Sequence, residues 1–346
     1  MRVDDFDFDL PENLIALRPA SPKHSARQLV ISKNCPIENF SEQTVWDFPD
    51  QLNENDLIVF NDTKVLPSYL FAKRGDMQTE INLHKRVSPV SWLAFAKKTK
   101  RLREGDLLSF GQVLTGVIAE KHDGGEILIE FDVKAGDLEP LLAEIGMMPL
   151  PPYIASKRAI DDADLHDYQT LFADKDGAVA APTASLHFTP DLMAKIDAKG
   201  IQTAQITLHV GAGTFLPVKV DHTEDHKMHA EWGEISNEVA EMINATHNRG
   251  GRVVAVGTTV LRILESACEP DGTMKSFCGD TSIFITPGYR FKNVDMLMTN
   301  FHLPKSTLFM LVCAFAGFET MKQAYVYAIK HKFRFYSYGD SCLLSR

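Results

Sequence analysis

A short apolar strand that ends in glycine and leads into a helix limits the fold more than any other segment. Residues 252–256 are rich in valine, as is typical of a buried strand. Residues 257–259 then read glycine and two threonines, and a helical pattern runs from Val260 to Cys268, before Pro270. Because buried strands that alternate with helices form parallel sheets, we expect an α/β fold.

The same alternation extends over the middle and end of the chain. Thr189 and Pro190 predict the start of a helix that Gly200 ends. Ser236 predicts the cap of another helix, which ends near Gly250. The sequence predicts further strands at 205–210, 282–286 and 296–299, and helices from about residues 305 and 319.

Residues 65–148 show a different pattern. Short alternating or β-branched runs at 80–83, 92–96, 107–110 and 126–131 are separated by glycine- and aspartate-containing turns. This pattern favours a small antiparallel sheet or barrel. We therefore predict an α/β main domain made of residues 1–64 and 149–346, with an inserted, mostly antiparallel, barrel-like β-rich domain at 65–148.

The charge of the chain is unevenly distributed. Its net charge is −10, yet the segment from Lys64 to Glu104 has ten basic and three acidic residues. Such polarity suits a protein with one face for an anionic polymer, although a solvated basic surface is the alternative. The densest part of this segment has five cations within seven residues: Lys97, Lys98, Lys100, Arg101 and Arg103.

Several classes of protein do not fit the chain. The acidic N-terminal segment lacks the apolar run of a secretory signal, and the longest apolar stretch, 308–318, is too short to span a bilayer. The five cysteines are scattered, with no Cys-x-x-Cys pair. We expect reduced thiols, a cytoplasmic location and no membrane partner.

Two glycine-containing segments follow predicted strands. In the segment 207–215, Gly211 and Gly213 follow His209 and leave the backbone with little steric bulk. The segment is either a ligand loop or a structural turn. It is no dinucleotide fingerprint, because Leu216 stands where the third glycine would be. At the second segment, the hydroxyls of residues 258 and 259 either bind a ligand or cap a helix.

Three histidine-containing segments are candidates for chemistry. Residues 221–231 hold His222, His226 and His229 among carboxylates. These side chains either bind a metal ion or form a solvated or substrate-contacting surface. Because the spacing fits no metal motif and the sequence has no second cluster of ligands, we predict no metal. His187 precedes a helix start, where a loop can present it. Lys305 stands near a helix N-terminus, which hints at an anionic ligand.

Taken as a set, the motifs resemble the S-adenosylmethionine:tRNA ribosyltransferase-isomerase family of queuosine biosynthesis. The matching segments follow the family's order and are 6–11, 57–67, 150–154, 168–170, 181–189, 209–217, 228–231, 257–259, 287–289, 300–307 and 334–340. The chain departs from the family pattern at Ser185, where glycine is usual, and at Val260 and Leu261, where Ser-Val is usual before Arg262.

The resemblance implies the reaction. Members transfer and isomerise the ribosyl part of S-adenosylmethionine onto the 7-aminomethyl-7-deazaguanine base at the tRNA wobble position, giving epoxyqueuosine-tRNA, adenine and methionine. S-adenosylmethionine is thus a substrate, and we expect no cofactor. We expect a monomer whose partners are S-adenosylmethionine and tRNA, the latter bound by the five clustered cations.

The resemblance also implies a general base and a pocket that tolerates a cation. The candidates for the base are His187, Asp62 and Glu231. The candidates for substrate binding are His209, Gly211, Gly213, Thr258, Thr259, Arg262, His302 and Lys305, and the aromatics that could face the sulfonium are Phe188, Phe215 and Phe301. Two readings from other classes remain: a metal-dependent hydrolase or isomerase using the three histidines of 221–231, and a noncatalytic RNA-binding module.

Overall fold

The computed structural model describes residues 1–211 and 218–346. In chain order its strands are β1 Arg27–Ser32, β2 Ser41–Thr44, β3 Leu57–Asn61, β4 Thr63–Val65, β5 Tyr69–Arg74, β6 Met77–Arg86, β7 Ser91–Ala96, β8 Leu107–Phe110, β9 Leu114–Lys121, β10 Glu126–Phe131, β11 Lys175–Ala178, β12 Gln202–Leu208, β13 Glu231–Ile235, β14 Val253–Val256, β15 Phe277–Thr281, β16 Met296–Asn300 and β17 Ser341–Ser345. Its α-helices are α1 Leu138–Ile145, α2 Pro152–Ala155, α3 Asp164–Asp167, α4 Pro190–Ala198, α5 Asn237–Asn248, α6 Thr258–Ala267, α7 Thr307–Ala316 and α8 Phe318–Lys330.

A nine-stranded mixed sheet forms the larger part of the molecule. Its strands lie in the order β15-β13-β12-β3-β14-β16-β17-β1-β2. The four strands β12, β3, β14 and β16 run parallel to one another. Alternate side chains of β3 enter two separate cores, Leu57 and Val59 on one face and Ile58 and Phe60 on the other. Both faces are therefore covered, which is why β3 and β14 read as continuous apolar runs.

Six antiparallel strands close into a barrel in the order β10-β7-β6-β5-β8-β9. Inward-facing side chains fill it, with Trp92 fully buried. Leu138 and Leu142 of α1 belong to the same core. The predicted fold class, an α/β domain with an antiparallel barrel, is confirmed. The sequence pattern missed β5 and β9, and the domain boundaries at 64/65 and 148/149 stay predictions.

The predicted helix starts are confirmed. The Thr189 hydroxyl accepts a hydrogen bond from the backbone N–H of Leu192 at the start of α4, and Ser236 caps α5 in the same way. Gly200 follows α4 with a φ of +68°, the left-handed conformation that glycine adopts without strain. Within the described residues, no helix is long and apolar enough to cross a membrane.

One predicted strand is wrong. The strand in this region is β15, Phe277–Thr281, and residues 282–286 after it have no regular structure. β15 pairs with β13 at the edge of the sheet, so it needs no continuous apolar run. The apolar side chains that suggested a strand pack into the core instead, with Ile285 almost fully buried.

Candidate active site

The four parallel strands end at one edge of the sheet, and a polar residue follows closely on each. These residues are Asp62 after β3, His209 after β12, Thr258 after β14 and His302 after β16. In open α/β sheets, ligands bind outside the carboxyl ends of the strands. A cavity lies at this edge, and Thr258, Thr259, Asn300 and His302 are among the residues that line it.

The turn between β14 and α6 depends on glycine. Gly257 has a φ of +98° and stands at the capping position of α6. Thr258 and Thr259 are the first two residues of the helix, so the interpretation of their hydroxyls as caps is wrong. Both residues line the cavity, and Thr259 Oγ1 is buried without a hydrogen-bond partner among the described residues.

His187 lies in a short 3₁₀ turn, Thr183–His187, and is buried rather than presented by a loop. Its Nε2 lies 3.2 Å from Nδ2 of Asn300, a donor, so Nε2 accepts and the ring is neutral. Burial, and next the charge of Arg334, lower the pKa of His187 to about 4. His187 therefore stands behind Asn300, whose own side chain lines the cavity.

Asp62 lies in a second cavity, beside β12, together with Lys175 and Glu234. Its Oδ1 accepts a hydrogen bond of 2.7 Å from the hydroxyl of Thr207. Burial raises the pKa of Asp62, while the Thr207 bond opposes the shift. The cavity at the ends of β14 and β16 is the better ligand site, because it holds buried polar groups that lack partners; Asp62 stands at the same sheet edge.

Glu231 and Arg262 form a buried ion pair. Arg262 donates from Nη1 to Oε2 of Glu231, and Glu231 Oε1 accepts from the backbone N–H of Gly211 at 3.0 Å. Arg262 Nε also donates to the carbonyl of Ile283. The pair thus joins α6 to β13 and to the backbone of Gly211. Both carboxylate oxygens of Glu231 are occupied, which argues against its role as a base.

His209 links the end of β12 to β4 and β13. Its Nδ1 lies 2.8 Å from the Thr63 hydroxyl, and its ring stacks on Trp232 with centroids 5.2 Å apart. Gly177 lies against the ring, where a Cβ would come within 2.7 Å. Burial lowers the pKa of His209. The rest of its motif, including the candidates Gly213 and Phe215, lies outside the described residues.

The two candidates after β16 differ in their surroundings. His302 is buried in the cavity wall with Nε2 3.1 Å from the Thr299 hydroxyl, and burial lowers its pKa to about 3. Lys305 instead forms ion pairs with Asp4 at 3.1 Å and Asp7 at 3.0 Å. Because the carboxylates of Asp4 and Asp7 already neutralise its ammonium, the structure gives no support to an anionic ligand at Lys305.

The remaining aromatic candidates lie in the cores. Phe188 packs edge-on against Phe60, and Phe301 packs edge-on against Tyr325. Both are buried, and neither lines the cavity. Among the described residues, no group of three or more histidine, cysteine or acidic side chains could hold a metal ion.

The five clustered cations lie on the barrel surface between β7 and β8, and all are exposed. Lys97 pairs with Glu80 at 2.5 Å, and Lys98 Nζ donates to the carbonyl of Gln78. Within the described part of the chain, the other three have no carboxylate partner. The cluster is therefore available to an anionic surface.

Comparison with known proteins decides the family. The model of the family described as "Queuosine biosynthesis protein" matches residues 3–344. The chain belongs to this family. It is 56% identical to the S-adenosylmethionine:tRNA ribosyltransferase-isomerase of Parvibaculum lavamentivorans, over 99% of both chains. The protein of the same name from Mesorhizobium japonicum is 54% identical, over 100% of this chain and 98% of the other.

A solved member of the family supports the fold. The crystal structure of the S-adenosylmethionine tRNA ribosyltransferase from Thermotoga maritima is 31% identical to this chain, with a TM-score of 0.56. The similarity covers 98% of this chain and 99% of that one. The proposed resemblance is thereby confirmed.

Sequence reasoning missed several residues that line this cavity, among them Asn300 and Tyr168. Both are buried. Each lies in a segment that matched the family pattern. The position of Asn300 at the carboxyl end of a predicted strand was the available signal.

Proposed function

We propose that this protein transfers and isomerises the ribosyl part of S-adenosylmethionine onto 7-aminomethyl-7-deazaguanine at the wobble position of tRNA. The products are epoxyqueuosine-tRNA, adenine and methionine. The observation that carries the proposal is the 56% identity, over 99% of both chains, with a protein named for this activity. The cavity at the carboxyl ends of the parallel strands supports it, because that is where such a fold binds its substrates.

The reaction requires one base and no external oxidant or reductant. The sulfonium acidifies the C5′ hydrogens, so a base can remove a proton to give an ylide, and adenine leaves with the electrons of its glycosidic bond. Adenine takes up a proton, and the aminomethyl nitrogen takes its place at C1′ and loses a proton. The ylide carbon C5′ then bonds to C1′ as the bond from C1′ to the ring oxygen breaks. That oxygen, left as an alkoxide on C4′, finally displaces methionine from C5′ to close the epoxide.

We assign the base to Asp62, because it follows β3 at the same sheet edge as the cavity and is buried there. Burial raises its pKa, which makes the carboxylate a stronger base than an exposed aspartate. His187 fits less well, because its Nε2 is already bonded to Asn300 and its pKa is about 4. We assign His187 to the positioning of Asn300 and Glu231 to the support of the backbone at Gly211.

The tRNA approaches through the five cations of the barrel. The rest of the chain is acidic and repels an RNA, so a local positive surface is needed to orient it. We place S-adenosylmethionine and the wobble base at the sheet edge of the same chain, which then acts as a monomer without a cofactor.

Incubation with S-adenosylmethionine and tRNA carrying the aminomethyl-deazaguanine base tests the proposal. Adenine and methionine should appear in equal amounts and only when that tRNA is present. S-adenosylhomocysteine rising in step with tRNA modification would show a methyltransferase instead. Loss of activity on chelation would support the metal-dependent hydrolase or isomerase. Binding of tRNA without release of adenine would support the noncatalytic RNA-binding module.

A further inference from the structure

The described residues that line the cavity at the ends of β14 and β16 include no carboxylate, ammonium or guanidinium group. Small apolar residues form much of its wall, among them Ala180, Ala181, Ala184 and Val210. Among the described lining residues, His302 is the one whose side chain can take up a proton to become a cation. Its pKa of about 3 keeps it neutral near pH 7. Burial of an uncompensated charge there would be strongly unfavourable.

The same cavity contains hydroxyls that lack partners. Tyr168 is fully buried, and its hydroxyl has no hydrogen-bond partner among the described residues. Thr259 Oγ1 is also buried without a hydrogen-bond partner among the described residues. Buried polar groups in proteins nearly always have a partner, so a ligand or ordered water is expected to bond with them. Burial raises the pKa of Tyr168 far above its usual value, which keeps it a donor.

Aromatic surface is present beside these hydroxyls. Tyr336 lines the cavity with a φ of +74°, a backbone conformation that is rare for an aromatic residue. Its backbone N–H donates to the carbonyl of Phe301 at 2.9 Å, which holds this conformation. The cavity thus combines an aromatic side chain, small apolar walls and neutral hydrogen-bonding groups.

We propose that this cavity is the subsite for the adenine of S-adenosylmethionine, and that the hydroxyls of Tyr168 and Thr259 bond to its ring nitrogens or amino group. The inference rests on the proposed function. Adenine is the uncharged, planar part of that substrate. The methionine part carries an ammonium and a carboxylate, and the aminomethyl base carries an ammonium. Both require charged surroundings, which the described lining residues do not provide.

Calorimetric titration with 5′-methylthioadenosine tests the assignment, because this neutral thioether keeps the adenine and lacks the amino-acid part. We expect it to bind the full-length protein and to compete with S-adenosylmethionine. Tyr168→Phe and Thr259→Val should each weaken both ligands by about 3- to 10-fold, the typical effect of one neutral hydrogen bond. The melting temperature of Tyr168→Phe should not fall, because the variant loses only a buried hydroxyl without a partner.

Tyr338→Phe is the matched control. Its hydroxyl is also buried without a partner among the described residues, and its ring packs edge-on against Tyr168, but it does not line the cavity. It should leave both affinities unchanged. The assignment is overturned if folded Tyr168→Phe binds 5′-methylthioadenosine as the wild type does, or if the wild type binds S-adenosylmethionine but not the thioether. Failure of the proposed function would appear separately, as no adenine release from wild-type protein with the modified tRNA.

Discussion

The side-chain amide of Asn300 donates a hydrogen bond of 3.2 Å to Nε2 of His187, and both side chains are buried. Asn300 Nδ2 also reaches the carbonyl of Gly339, and its Oδ1 accepts from the hydroxyl of Thr183. The amide is therefore fixed in one orientation in the cavity wall. We therefore expect His187 to act on a ligand through Asn300.

The first prediction separates positioning from acid–base catalysis at His187. His187→Ala should lower turnover by about 10²-fold and destabilise the fold by about 2–4 kcal/mol, because it leaves a cavity and an unpaired amide. His187→Gln, which can still accept from Asn300, should recover most of the turnover. If folded His187→Gln is as inactive as His187→Ala in the adenine-release assay, His187 is an acid–base group.

The second prediction concerns stability in mild acid. The pKa values of His187 and His302 are lowered to about 4 and about 3 from an ordinary 6.5. Below pH 6.5 the unfolded chain therefore binds protons that the folded chain does not, and stability falls with pH until these lower values are reached. His187 alone should account for a loss of about 3 kcal/mol by pH 4.

Urea unfolding at several pH values between 7.5 and 4 measures this loss. His302→Gln should flatten the dependence, because it removes one of the two groups. An equally steep dependence in that variant would assign the acid sensitivity to other groups.

The third prediction concerns Asp62 as the base. Asp62→Asn should lower turnover by about 10²-fold or more while the affinity for S-adenosylmethionine changes by less than about threefold. Thr207→Val removes the hydrogen bond that lowers the pKa of Asp62, so the acid limb of the kcat/KM profile should move to higher pH. An unmoved limb in an active Thr207→Val enzyme would assign it to another group.

The fourth prediction concerns the buried pair of Glu231 and Arg262. Arg262→Met leaves a buried carboxylate without its cation and should cost about 3–5 kcal/mol of unfolding free energy. The double variant Glu231→Gln with Arg262→Met should be more stable than Arg262→Met alone. Chemical denaturation of all four proteins of the cycle measures this coupling, and strictly additive effects would refute it.

The fifth prediction concerns the five cations of the barrel. If each neutralises one phosphate, the slope of log K for tRNA against log salt should be roughly −3.5 to −4.5. Neutralising all five should flatten the slope and leave S-adenosylmethionine binding unchanged. An unchanged slope would move the tRNA face elsewhere, with Lys330, Lys332 and Arg334 as the next candidates.

Local features of the sequence were sufficient for the fold class. The valine-rich run of β14, the caps at Thr189 and Ser236, and the turn-separated strands of the barrel act over a few residues, so they could be predicted. The placement of polar residues directly after parallel strands also followed from local pattern and located the edge of the sheet that carries the site. The strand predicted at 282–286 failed because apolar residues pack equally well without a ladder.

The chain by itself thus determined its fold class, the carboxyl ends of β14 and β16 and its family. Only the tertiary structure decided which polar groups face the cavity and which are already paired. His187 meets Asn300 across 113 positions, and Glu231 meets Arg262 across 31. Lys305 meets Asp4 from the opposite end of the chain. Such partners are brought together by packing of whole elements, and burial then sets the protonation state of each group, so neither can be read from local sequence.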